Sequence, residues 1–232
     1  MWLSAQVIPA SLSAAILAIL IIMLAGSLAV FSLLARRITE RHRELALSRW
    51  MAQREAKLIE HPWADATAGL VEKLELLKPF HPRGRLVFDS SRWTLAELIT
   101  DSSPKAKGKI PRWRILAWQL DDSNSPWPAT GLRPASHAVS LLDLFDVSSY
   151  PSLLDPEQFM IFGSDSAAAR RLAESDVARL LPPDVGLLLL GRVLLLDFSP
   201  RPFQADEFEM LLELARRLTD QIAGHTKISS RI

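Results

Sequence analysis

ASLSAAILAILIIMLAGSLAVFSLLA, residues 10–35, is the stretch from which the rest of the chain is read. No charged residue occurs before Arg36. About 20 apolar helical residues cross the roughly 30 Å hydrocarbon core of a bilayer, so the run is expected to be a transmembrane helix. It is expected to stay attached: the residues before it carry no Lys or Arg, the run is too long for a signal-peptide core, and Arg36-Arg37 follows like a stop-transfer signal. Basic residues on the C-terminal side predict an N-out, C-in, single-pass protein of a bacterial cytoplasmic membrane, with Trp2 at the interface.

Inside the run, Ala14 and Ala18, and again Ala25 and Ala29, are small residues four apart, a spacing that lets another helix approach closely. A docking face and mere abundance of Ala both account for them. The run has no His, Asp, Glu, Lys or Arg, so it offers neither a haem ligand nor a proton or ion path.

Residues 36–60 carry seven Lys or Arg and four Asp or Glu, whereas the whole chain has a net charge of +1. Positive charge is therefore concentrated here, and Arg36, Arg37, Arg41 and Arg43 are expected to meet anionic lipid headgroups. The segment has neither Gly nor Pro and is expected to continue the first helix until Pro62. Ile38, Leu45, Trp50, Met51 and Leu58 form no clean stripe, so a long coiled coil is not expected.

Residues 63–232 are expected to form one cytoplasmic α+β domain with a mixed or antiparallel sheet and a C-terminal amphipathic helix. The expected division is thus anchor 1–35, basic juxtamembrane helix 36–62, and domain 63–232. A helix is predicted over 64–78, with Leu70, Leu74 and Leu77 on one side, and broken by Pro79, Pro82 and Gly84. Residues 85–89 read as a strand and 93–99 as a short helix. Residues 101–111 read as a polar loop, and WRILAWQL (113–120) as a strand by its aromatic and β-branched content. Pro126, Pro128 and Pro134 mark 121–135 as a long exposed loop. Residues 137–147 read as strand or mixed structure.

The last third is the clearest. Phe159–Phe162 reads as a strand, and Ser164 or Asp165 caps a helix through Leu172. Ser175 caps a turn that Pro182-Pro183 stops. Residues 185–190 and 193–198 are apolar runs separated by Gly191-Arg192, which predicts a hairpin with a II′ turn and a sheet covered on both faces. In 204–223, Phe208, Leu211, Leu212, Ala215, Leu218 and Ile222 make one stripe, Glu213 and Arg217 pair four apart, and Gly224 fits the helix end.

FMIFGSDSAAARRLAESDVARLL (159–181), GLLLLGRVLLLDF (186–198) and the closing helix resemble a recurrent domain of uncharacterised bacterial membrane-anchored proteins. The resemblance covers 85–223 in outline and 159–223 specifically. It implies an α+β fold and nothing catalytic. The layout is also similar to that of single-pass accessory subunits of photosynthetic or respiratory complexes.

Chemistry-bearing patterns are few. Zero Cys excludes disulfides, thiolate catalysis and Cys-ligated metals. The five His include no HExxH and no metal-ligand spacing, there is no GxSxG, GxGxxG or GxxxxGK[ST], and no basic field points to nucleic acid. No catalytic, cofactor-binding or metal residue and no cofactor is expected. Seven Trp suggest contact surfaces instead, since Trp concentrates at interface hot spots. Trp127, between two prolines, is the first candidate, followed by Trp63 and Trp50.

The expected function is a non-enzymatic accessory or scaffolding subunit that docks on a larger bacterial membrane complex, a photosynthetic reaction centre or antenna or a respiratory assembly. Its expected partners are other membrane subunits. A membrane-tethered ligand-sensing or catalytic domain is the alternative, and a lipid-surface regulator acting through residues 36–57 a third.

Overall fold

A computed structural model describes the backbone over residues 10–59, 72–100, 112–121, 126–154 and 157–229; within α1 the side chains are described from Met23, with a few omitted. The chain divides into two compact units, Met1–Arg49 and Trp50–Ile232.

Helix α1, Ala10–Gln53, is continuous, as its lack of Pro allows. Among the described residues no helix is long and apolar enough to cross a membrane. This corrects the expected transmembrane helix, and the single-pass topology and cytoplasmic-side placement that rested on it. The helix also stops at Gln53, not at Pro62. Glu55 turns the backbone with φ 51°, and Lys57–Ile59 forms a strand, β1.

The second unit is built on nine described strands. After β1 come β2 (Arg83–Asp89), β3 (Trp93–Ile99), β4 (Arg112–Gln119), β5 (Trp127–Pro134), β6 (Ser148–Ser149), β7 (Phe159–Gly163), β8 (Gly186–Gly191) and β9 (Val193–Asp197). They form one sheet in the order β1-β2-β3-β4-β9-β8-β5-β7-β6, with every described pair antiparallel. The first four strands are a meander, and β5, β7 and β6 form a second group. Hairpin β8–β9 lies between them, β9 on β4 and β8 on β5.

This hairpin is the one its sequence predicted. Leu190 pairs with Val193, and only the first of the two turn residues, Gly191 (φ 59°), has positive φ, as a II′ turn requires. Both faces are covered, which is why consecutive positions are apolar. On one face Ala96, Ile115, Ala117 and Leu195 pack with Leu74 and Leu77 of a 3-10 helix, Glu72–Phe80, and with Leu141, Leu142 and Leu144 of another, Leu141–Leu144. On the other, the register aligns Phe88, Leu95, Leu116 and Leu196 in one cross-strand row. All four are buried, and Phe88 meets Phe208 of the last helix.

Helix α2 (Ser166–Glu174) starts at Asp165, whose carboxylate accepts from the Ala167 N–H. Ser175 does not cap the next turn, α3 (Val177–Leu180), as expected; its hydroxyl closes α2 by donating to the Leu172 carbonyl at 2.6 Å. The last helix, α4 (Ala205–Ser229), buries the whole stripe of Phe208, Leu211, Leu212, Ala215, Leu218 and Ile222. Burying each large member stabilises by roughly 1.5–3 kcal/mol. Gly224 does not end the helix, which runs on to Ser229.

Two further expectations are corrected. Trp93–Ile99 is a strand, buried at its first six positions, not a short helix. Residues 127–134 are not an exposed loop but β5, an interior strand between β8 and β7. Pro128 and Pro134 lack an N–H and are tolerated because the register with β8 slips between Trp127 and Thr130, while Pro134 stands last in the strand. Gly131 is required there: a Cβ would lie 2.2 Å from the Leu187 carbonyl oxygen of β8.

Candidate functional site

Three side-chain arrangements stand out, and the sequence nominated a member of two of them. The first is the end of α1. Trp50 is 5% exposed and packs against Phe88, Trp93 and Phe208, with ring centroids 5.2–6.4 Å away. Its indole Nε1 donates to Glu209 of α4 at 2.6 Å. Arg54 grips the same carboxylate, Nε on Oε1 at 2.9 Å and Nη2 on Oε2. The hydrogen bond to Glu209 raises the Arg54 pKa further above its ordinary value. Trp50 is therefore a core residue that fastens the last turn of α1, not a contact left open for a partner.

The second is Trp127, the first sequence candidate. It is 4% exposed, and the Arg171 guanidinium of α2 lies over its ring, 3.6 Å from the centroid. Such a stack is worth roughly 0.5–2 kcal/mol. Burial lowers the Arg171 pKa, Asp165 acting in the opposite sense, and its Nε has no hydrogen-bond partner. Trp127 is thus covered by its own chain and does not present a face to a partner. Trp63 lies outside the described residues.

The third, which the sequence did not signal, centres on Arg201. Its Nε and Nη2 take both oxygens of Asp184 at 2.8 and 2.6 Å, and its Nη1 takes Glu207 at 2.6 Å. Its carbonyl accepts from Arg114, which also donates to the buried Glu97 at 3.3 Å. His137 Nε2 sits 3.0 Å from the Asp184 carbonyl oxygen. The Arg201 hydrogen bond holds the Asp184 carboxyl below its usual range, and Asp184 in turn raises Arg201. Every charge in this chain of contacts is paired, so it joins β4, the segment before β8 and the start of α4 and does not poise a reactive group. Among the described residues, no three His, Asp or Glu side chains come together to hold a metal ion.

The unusual surface is α1 itself. A helix of a globular domain buries an apolar stripe, yet here Met23, Leu24, Phe31, Leu34, Ile38 and Leu45 are all exposed, Phe31 by 72% and Met23 by 68%. Single exposed apolar side chains are ordinary, but a continuous run marks an interaction surface. Arg37 and Arg41 are exposed beside it. The side chains of Ala14, Ala18, Ala25, Ala29, Arg36 and Arg43 lie outside the described residues, although all six positions are helical.

No family model, curated protein or solved structure matches the chain.

Proposed function

We propose that the chain is a non-enzymatic accessory or scaffolding subunit that takes its place in a larger protein assembly through α1. The observation that carries this reading is the exposed apolar run from Met23 to Leu45. Apolar surface covered on association stabilises by about 25 cal/mol per Å², so a helix that exposes such a run gains most from apolar partner chains. The exposed Arg37 and Arg41 add cations suited to acidic side chains of a partner or to anionic headgroups.

Native electrophoresis of the chain from its own cells, extracted in mild detergent and followed by mass spectrometry of the band, tests the proposal. Migration with other polypeptides is expected. A lone chain, or nothing larger than two copies, refutes it.

A further inference from the structure

Four described arginines are half-buried: Arg114, Arg133, Arg171 and Arg201. Three of them are held by acceptors. Arg114 takes Glu97, Arg133 takes Asp143 and the carbonyls of His137 and Ala138, and Arg201 takes Asp184 and Glu207. Arg171 differs. Among the described residues it forms no ion pair, and its Nε–H is shielded from solvent yet meets no acceptor. Such a donor is rare in a folded chain, because the hydration it loses is not returned. A ring holds the group in place instead: the guanidinium carbon lies 3.6 Å from the centroid of Trp127. Trp127 opens β5 across from Gly191 of β8 and is itself buried, so this platform is part of the sheet. Arg171 stands in the last turn of α2, which packs on β5 and β7. A guanidinium against an indole face directs its N–H groups along the rim of the contact, where an acceptor must lie in the plane of the cation.

From this arrangement we infer that Arg171, laid on Trp127, is a binding site for a carboxylate brought by another molecule. The fork of a guanidinium matches the two oxygens of a carboxylate. Stacking fixes the fork before the ligand arrives, which lowers the cost of ordering it on binding. Local charge selects the class of anion. Asp165 and Glu174 are the carboxylates at the two ends of α2, and neither pairs with Arg171; Asp165 caps the Ala167 N–H. With Arg170 exposed next in the chain, the charges of α2 and its cap sum to zero, so no excess positive field draws a dianion such as phosphate. A planar monoanion suits a single stacked guanidinium. Binding also offsets the burial that lowers the pKa of Arg171. A free organic acid and an acidic side chain of another protein bring the same group. The inference does not depend on α1.

Nuclear magnetic resonance of the arginine Nε–H and tryptophan indole N–H groups of the full chain tests it. The signal lost in Arg171→Lys identifies Arg171, and Arg171→Gln serves the same end should the first variant fail to fold. The protein is titrated with sodium acetate, with a capped tripeptide amide carrying one central aspartate, and with sodium chloride at matched ionic strength. The Arg171 signal is expected to move saturably with acetate or peptide and not with chloride. Saturation by the peptide at about a tenth of the acetate concentration assigns the ligand to a protein side chain, and equal concentrations assign it to a free acid. In Arg171→Lys, followed through the Trp127 indole signal, binding is expected to weaken about ten-fold, since an ammonium neither stacks nor forks. An Arg171 signal that does not move, or that moves equally with chloride, overturns the inference, as does unchanged affinity in Arg171→Lys. A response that appears only after Asp122→Asn, Asp165→Asn or Glu174→Gln overturns it too, because a carboxylate of the chain itself is then the occupant.

Discussion

Replacing Trp50 by Ala tests whether the last turn of a helix that is exposed for most of its described length belongs to the core of the sheet unit. The indole is 5% exposed, touches three buried aromatic rings and donates to Glu209. Truncating a buried Trp to Ala costs about 3–5 kcal/mol through lost burial and the cavity left behind. The hydrogen-bond loss adds little, because Arg54 keeps the Glu209 carboxylate paired. Trp50→Ala is therefore expected to destabilise by about 4 kcal/mol. Trp50→Phe keeps most of the ring and loses the N–H, so about 1.5 kcal/mol is expected. Ser48→Ala, two residues upstream and exposed, should stay within about 0.5 kcal/mol. Urea unfolding of the full chain, followed by near-ultraviolet circular dichroism, measures all three. A cost below about 1 kcal/mol for Trp50→Ala would show that the turn is not part of the core, and the argument from these ring contacts would be wrong.

Two glycines separate steric from conformational cost. Gly131→Ala drives a Cβ onto the Leu187 carbonyl oxygen, backbone that cannot move without breaking the β5–β8 pairing, so a loss of about 3 kcal/mol or more in a thermal or urea melt is expected. Gly191→Ala meets nothing within 4 Å and pays only for its positive φ, so about 1 kcal/mol is expected, with an unchanged fold by circular dichroism. The Asp184–Arg201 contact predicts a pH dependence. The folded pKa of Asp184 is depressed below 3.8, so its stabilising contribution is complete above that value and is lost as pH falls through the lower folded pKa. Melting temperatures of wild type and Asp184→Asn should therefore differ at neutral pH and converge below about pH 3.8; a constant gap across the acid range would remove this pair from the stability of the fold.

The elements legible in the sequence are those whose signal is local. Gly191 between two apolar runs gave the hairpin, and the recurrence of Phe208, Leu211, Ala215, Leu218 and Ile222 gave the buried face of α4. Asp165 gave a helix start because a side-chain cap acts within two residues. The misread elements depend on distant partners. Residues 127–134 carry two prolines and read as loop, but β7 and β8 arrive on either side and override that local preference. Trp93–Ile99 is apolar at positions that suit either period, and only pairing with β2 and β4 decides for strand. The continuation of the first helix past residue 35 is legible in the lack of Gly and Pro over 36–60, whereas its end at Gln53, ahead of Pro62, comes with the turn at Glu55 and the pairing of β1 with β2. Trp127 and Trp50 have the residue type of an interface anchor, and type does not tell a surface anchor from a core one. Arg171 and Glu209, which cover and hold them, lie 44 and 159 positions away.

The hairpin's place in the sheet sets an order of events during synthesis. The strands β1 to β7 leave the ribosome before β8 and β9, so the meander and the β5–β7–β6 group exist for a time with β4 and β5 as open edges. Open edges rich in apolar side chains are templates for wrong pairing. The last 50 or so residues thus close the two halves into one sheet, and α4 follows at once to cover the row of Phe88 and Leu116. A chain stalled before Gly186 would hold most of the strands of the sheet and none of its closure, which makes nascent chains of that length the natural clients of a chaperone.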